Sequence, residues 1–351
     1  MTTGLPELWA LNYPHPRSGL ESFAAMIESI GFTGLLVPGT PLLSGDPFVG
    51  VTLAARATDR LLLGTGVTNP ITRDPSVTAS AISTVHVESG GRAVLGIGRG
   101  DTSLFLIGRQ QPSVTEFGAY VSRVREYLSG ADAVGERSLP GIQWMRHHDL
   151  PPIPIHLTAT GPRAISLAAT LGDGVNLALG ADLERLRAAI DLIHATRRSH
   201  GLSPEGFSIG AYVAVVCHPE IALARRIARG DTSVFAHYLA MAESMPGVGV
   251  DDRNTLRRLE ASYDLTRHGS SSAPQGQELD DDFFDRFAIV GPADHCVRRL
   301  MELVDLGIDR LVIGLGSSGV PRAEVIGAVE RFGTELLPLW RSTVSTSEAG
   351  G

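Results

Sequence analysis

RLLLGTGVTNPITRDPSVTASAISTVHVESGGRAVLGIG, residues 60–98, holds a strand, a helix and a second strand in one continuous stretch. The apolar run at its start is as expected for a strand covered on both faces. Asp74-Pro75 then reads as an N-cap followed by proline at the first helical position, and Gly90-Gly91 reads as a stop. The run RAVLGIG at 92–98 begins the next strand. Between the first strand and the helix lie two glycines, a threonine and an asparagine, backbone-permissive residues where a buried strand ends.

The same grammar repeats on both sides. Strands are expected at 7–12, 34–37, 60–67, 92–98, 153–157, 174–179, 207–217 and 309–315. Amphipathic helical patterns separate several of them, at 18–31, 74–91, and in the runs GPRAISLAATLGDG, ADLERLRAAIDLIHATRRSHG and PADHCVRRLMELVDLG. Eight strands alternating with helices predict an α/β fold of the (β/α)8 TIM-barrel type. A doubly wound open sheet is the alternative, and it lacks a G-x-G-x-x-G after the first strand. Two stretches fit no repeat, at about 131–152 and 243–286, and read as insertions, the second as a lid. Residues 1–341 are expected to form a single domain, with 342–351 a disordered tail.

Composition narrows the class. The chain has 351 residues, 43% of them hydrophobic and 19% charged, with a formal charge of -8. That balance offers no basic face for nucleic acid or an anionic membrane. No run of about 18 apolar residues occurs, and the first residues lack a signal-peptide pattern, so a cytoplasmic enzyme is expected. Cys217 and Cys296 alone do not make a disulfide framework. His147, His148 and Asp149 are adjacent, a spacing that does not converge on one metal ion.

In a barrel the active site lies at the carboxyl ends of the strands. Those ends carry Asn12 and Tyr13; Pro38, Gly39 and Thr40; Gly66, Val67, Thr68 and Asn69; Arg99 and Asp101; and His156, Thr158, Thr160 and Gly161. Asn176, Gly180 and Gly314 to Ser318 complete the rim. It is poor in acids and rich in glycine and hydroxyls, which suits a planar cofactor better than paired-carboxylate hydrolysis. TATGPRAI at 158–165 leads a strand into a helix through glycine. The amide groups and helix dipole there favour a phosphate, with Thr158, Thr160 and Arg163 as further donors. An ordinary βα turn would also need that glycine.

The stretch Gly64 to Asp101, followed in order by LAATLGDGVNLALG (167–180) and FAIVGPADHCVRRLMELVDLGIDRLVIGLG (287–316), resembles the bacterial luciferase-like superfamily of flavin-dependent oxidoreductases. Within it the likeness is greatest to the deazaflavin-dependent methylenetetrahydromethanopterin reductase branch. The resemblance implies a cofactor ring laid over a bulge after the third strand, with a non-prolyl cis peptide at Gly66–Val67. It implies ring-edge or tail contacts from Thr68 and Asn69, and a phosphate cradle at Thr160, Gly161 and Gly180. Asn12, Tyr13 and Arg99 are candidates for the substrate or the coenzyme tail.

Either coenzyme F-420, a deazaflavin, or FMN fits this resemblance. The first implies hydride transfer to or from a small organic substrate; reduced FMN with oxygen implies monooxygenation. A non-catalytic cofactor-binding barrel and a sugar-phosphate enzyme remain alternatives. Many relatives carry an acid after the second strand, whereas this chain reads VPGTPLL there, with Asp46 the nearest acid. Thr40, His156 and His268 are therefore the candidate catalytic groups, histidine because it titrates near neutrality. Relatives also imply a homodimer, for which the helix at 74–89 is available.

Overall fold

The computed structural model describes residues 6–13, 19–129, 141–242 and 249–348. Nine strands occur among them: β1 (Glu7–Leu11), β2 (Gly34–Val37), β3 (Leu62–Thr65), β4 (Ala93–Ile97), β5 (Ile155–Ala159), β6 (Gly174–Leu177), β7 (Ser208–Cys217), β8 (Ile289–Gly291) and β9 (Arg310–Gly314). Their order is β6-β5-β4-β3-β2-β1-β9-β7-β8, and β6 also pairs with β7. That last pairing closes eight parallel strands into a (β/α)8 barrel. β8, which the sequence reading missed, is a three-residue strand beside the end of β7, with Cys217 opposite Gly291.

Fourteen helices accompany the strands among the described residues. Early in the chain are α1 (Leu20–Ile30), α2 (Pro47–Arg56), α3 (Pro75–Glu88), α4 (Thr102–Phe105) and α5 (Val114–Ser129). Then come α6 (Pro162–Leu171), α7 (Leu183–Ser199) and α8 (Ile221–Ala240). The second insertion folds as α9 (Val250–Ala261), α10 (Pro274–Gln277) and α11 (Asp281–Phe287), and the chain finishes with α12 (Ala293–Asp305), α13 (Arg322–Arg331) and α14 (Leu337–Glu348). Residues 131–140 of the first insertion and 243–248 of the second lie outside the described residues. α14 continues to Glu348, into the segment read as a disordered tail; the hydroxyls of Ser342 and Thr343 both donate to Leu339 O (2.8 and 2.9 Å) along that helix.

Asp74 caps α3 as its sequence promised, accepting from Ser76 N at 2.8 Å. Asp46-Pro47 is the same signal and does the same work for α2, accepting from Phe48 N (2.9 Å) and Val49 N (3.3 Å). The acidic run in the second insertion also includes a cap, Asp280, which accepts from Phe283 N at 2.8 Å.

The chain divides into two compact units. One comprises Leu11–Ala159 and Ser166–Val175; the other holds the rest. In each, an arginine gathers hydrogen bonds at the amino ends of strands, the end that serves stability in barrels. In the first unit Arg92, just before β4, donates to the carbonyls of Ala55, Thr58 and Leu61 at 3.0, 2.8 and 2.7 Å. In the second, Arg310 opens β9 between Glu7 (2.9 Å) and Ser208 (2.6 Å), with its guanidinium 5.4 Å from the Trp9 ring centroid. Asn176 turns to that same cluster, its Oδ1 3.4 Å from Arg310 Nη1. It therefore belongs to the supporting end, which corrects its place on the active rim. A strand of only four residues has ends so close that sequence cannot tell them apart.

Candidate active site

In the first unit the β3 ladder breaks after Thr65. Gly66 N still donates to Val37 O (2.9 Å), and pairing with β4 resumes when Thr68 N donates to Gly96 O (3.1 Å) and Gly98 N to Thr68 O (3.0 Å). Gly66 and Val67 are left as a bulge, and the peptide between them is cis, as the resemblance implied. The glycines here are not vacant space awaiting a ring. A Cβ at Gly66 would stand 2.6 Å from Leu36 Cβ, and one at Gly64 would stand 2.6 Å from Val94 O. Neighbouring strands already fill those positions, so close backbone approach explains the composition. What the bulge presents outward is Gly66 and Val67, both only half-buried.

Asn69 has a different task from the one expected. Its Oδ1 accepts from the N–H groups of Ile71 and Thr72, each at 3.0 Å, and from the Thr72 hydroxyl at 3.2 Å. Nδ2 lies 3.4 Å from Ser103 Oγ. The amide shapes the loop after β3 rather than reaching outward. Arg73, further along that loop, pairs with Asp46 and lies 4.8 Å over the Phe48 ring, so the acid nearest β2 is spent as a helix cap and ion pair. Arg99 likewise turns inward, its Nε and Nη2 donating to Pro112 O at 3.0 and 2.7 Å. The side chain of Asp101 makes no capping bond; its carbonyl instead accepts from Leu104 N (2.7 Å) and Phe105 N (2.9 Å).

Asn12 and Tyr13 follow β1 half-buried, and Asn12 N donates to Leu36 O at 3.1 Å. Thr40 is buried in a turn whose carbonyl accepts from Ser44 N at 3.0 Å. His156 is buried on β5 opposite Gly96. Two residues on, Thr158 Oγ1 is a buried hydroxyl with no hydrogen-bond partner among the described residues. A buried hydroxyl left without a partner costs about 1–3 kcal/mol.

In the second unit, Gly161 precedes α6 and its carbonyl accepts from Ile165 N at 3.0 Å. Among the described residues a Cβ here would meet only Ala242 Cβ, at 3.9 Å. Thr160 is half-buried beside it, and Arg163 is exposed in the first turn of α6. Gly180 differs. It has φ +67°, and a Cβ would stand 2.7 Å from the Phe287 ring, while Ala181 N donates to Phe287 O at 2.8 Å. Its glycine is demanded by Phe287.

Two features of this unit escaped the sequence reading. The first is Asp231 on α8, 7% exposed, whose Oδ2 accepts from Gly316 N at 3.2 Å just beyond β9. Burial pushes its pKa up to about 7. The second is an aromatic cluster joining α8 to the second insertion. His237 Nδ1 bonds Glu260, the His237 and Tyr263 rings stack at 3.9 Å, and Tyr263 Oη lies 2.9 Å from His268 Nδ1. Burial and nearby His237 push the pKa of His268 down to about 3, so it is neutral at pH 7 and is no imidazolium acid there. Segment 221–240 showed no motif; its one acid is Asp231.

The barrel belongs to a recognised class. The luciferase-like monooxygenase family matches residues 10–310, and the chain is a member of it. It is 29% identical to 5,10-methylenetetrahydromethanopterin reductase of Methanolobus tindarius over 308 residues, 85% of this chain and 90% of the relative. To F420-dependent glucose-6-phosphate dehydrogenase of Beutenbergia cavernae it is 28% identical, covering 93% of this chain and 94% of that one. Among solved structures, the coenzyme F420-dependent tetrahydromethanopterin reductase of Methanopyrus kandleri superposes with a TM-score of 0.75 at 21% identity, over 96% of this chain and all of the other.

Proposed function

We propose that this protein is an oxidoreductase that binds a deazaflavin coenzyme of the F420 type and passes a hydride between it and a small organic substrate. The observation that carries the reading is the partnerless buried hydroxyl of Thr158 at the carboxyl end of β5. The name of one relative, an F420-dependent glucose-6-phosphate dehydrogenase, points to the same coenzyme. The coenzyme, when bound, supplies a ring carbon that exchanges a hydride with substrate. The bulge at Gly66 and Val67 would back the ring, and Thr158 would donate to its polar edge. Separately, the amides of Thr160, Gly161 and the first turn of α6 would favour an anion, as the positive end of a helix dipole does.

Thr158→Val separates this role from a structural one. Without coenzyme the variant is as stable as the parent or slightly more so, because it loses only an unsatisfied buried hydroxyl. Its affinity for F420, followed by absorbance, falls by about five- to tenfold. Equal affinity in both chains, or no binding by the parent, overturns the reading. Glucose 6-phosphate and methylenetetrahydromethanopterin serve as first substrate probes. The family's description favours a second reading, monooxygenation with reduced FMN. Oxygen uptake with reduced FMN, and none with reduced F420, would select it.

The second proposal is a homodimer. α2 and α3 leave Val49 60%, Leu53 39% and Val77 49% exposed, with Ile71 41% exposed in the loop before α3. Apolar side chains grouped on neighbouring helices mark an association surface. Sedimentation should show a dimer for the parent and a monomer for Val49→Glu with Val77→Glu; a monomeric parent ends the proposal.

A further inference from the structure

No acid directly follows β2, and Asp46 is taken up as a helix cap and ion pair, yet hydride transfer to or from a carbon bonded to oxygen or nitrogen also moves a proton. The second unit contains a buried acid that no structural role accounts for. Asp231 comes from the middle of α8, and three close approaches bring it onto the turn after β9. A Cβ at Gly230 would stand 2.7 Å from Ser317 Cβ and would overlap the Gly269 carbonyl. A Cβ at Gly314, the last residue of β9, would stand 2.6 Å from Asp231 Oδ2. Ser317 Oγ accepts from Gly230 N (2.7 Å) and donates to Ile227 O (2.6 Å), clamping the helix in place.

Among the described residues the carboxyl so placed receives one hydrogen bond, from Gly316 N, and no cation pairs with it. On its own helix Arg226 pairs with Glu324 (2.5 Å), Arg229 donates to Gly276 O (2.9 Å) and His237 is engaged by Glu260. The β9 turn faces it with Gly314, Gly316 and Ser317, which do not ionise, and the 269 turn contributes a backbone carbonyl. A structural buried acid is ordinarily paired. This one is set, unpaired, at the carboxyl end of a barrel strand, where barrel enzymes do their chemistry.

We propose that Asp231 is the proton donor and acceptor of the reaction, a role that rests on the hydride-transfer reading above. In the reducing direction the substrate carbon of a C=O or C=N bond takes the hydride pair from the reduced coenzyme. The π pair moves to the heteroatom, which takes the Asp231 proton and leaves the carboxylate. In the oxidising direction the carboxylate removes the O–H or N–H proton as the hydride departs. A carboxyl that burial holds near neutrality suits both directions.

The test compares the parent with Asp231→Asn, which keeps an acceptor for Gly316 N and cannot titrate. With carbon-labelled aspartate and no coenzyme, NMR should show one carboxyl titrating near pH 7 in the parent and absent from the variant. F420 affinity should then fall across neutrality in the parent by about fivefold more than in the variant, since only the parent gains a charge beside an anionic ligand. With a substrate probe that turns over, the variant's kcat should drop about 100-fold while KM holds. Asp231→Ser repeats the affinity comparison should the Asn chain not fold. A carboxyl already ionised at about pH 5 overturns the role of Asp231 alone, as do parallel affinity curves. A parent that binds neither F420 nor FMN overturns the hydride-transfer reading, and the donor role with it.

Discussion

Gly96→Ala is expected to lower the unfolding free energy by about 4 kcal/mol or more, the range of severe core overpacking. A Cβ at Gly96 would fall within the van der Waals shell of the Thr65 carbonyl oxygen, a backbone atom that cannot rotate away. Neither strand is free to retreat. Leu63 N donates to Arg92 O (2.9 Å) on one side of the contact and Thr68 N to Gly96 O (3.1 Å) on the other, with Thr65 Oγ1 donating to Gly96 O (2.6 Å) between them. The Ala methyl must therefore spread β3 from β4 where the bulge begins, so coenzyme affinity should fall together with stability. Gly90→Ala is the control. There φ is +67° and nothing lies within 4 Å of a Cβ, so only backbone strain opposes the change, at about 1–2 kcal/mol. Urea unfolding of both chains checks the contrast. A Gly96→Ala chain as stable as Gly90→Ala would show that the two strands yield more easily than their hydrogen bonds imply.

That contrast also shows how far the sequence could be read. The eight barrel strands and several of the helices between them were legible because each announces itself locally: apolar runs for covered strands, Asp-Pro for helix starts, glycine for stops. Asp46-Pro47 carries the signal that was read correctly at Asp74-Pro75, yet Asp46 stood out only as the acid nearest β2, and its cap and its bond to Arg73 were missed. Asn69 was assigned outward because the family resemblance puts a coenzyme contact at that position. Asn-Pro also initiates turns, and the side chain folds back on Ile71 and Thr72 for that reason. The bulge at Gly66 and Val67 came from family resemblance; propensity alone would have continued the strand. β8 is three residues long and has no period to detect. Asp231 meets Gly316 across 85 positions, and nothing in either neighbourhood names the other. Contacts of that kind belong to tertiary packing, and they are where sequence patterns stop.

Stability should also depend on pH through Asp231, and the sign follows from its burial. The unfolded carboxyl releases its proton near its ordinary value of 3.8, while the folded one keeps it to about pH 7. Between those values the folded chain binds the extra proton, so the unfolding free energy falls as pH rises. At about 1.4 kcal/mol per pH unit the loss approaches 4 kcal/mol by neutrality and is constant above it. Asp231→Asn cannot ionise and escapes this loss. Its stability relative to the parent should therefore climb by about 4 kcal/mol from pH 4 to pH 7 and then level off, as read from urea midpoints at each pH. Curves that run parallel would mean that the carboxyl ionises freely in the folded chain. A penalty of that size, at the pH where enzymes commonly work, is not what a residue kept for stability would impose. An amide would satisfy Gly316 N equally well without titrating, so the acid is explained by what its proton does.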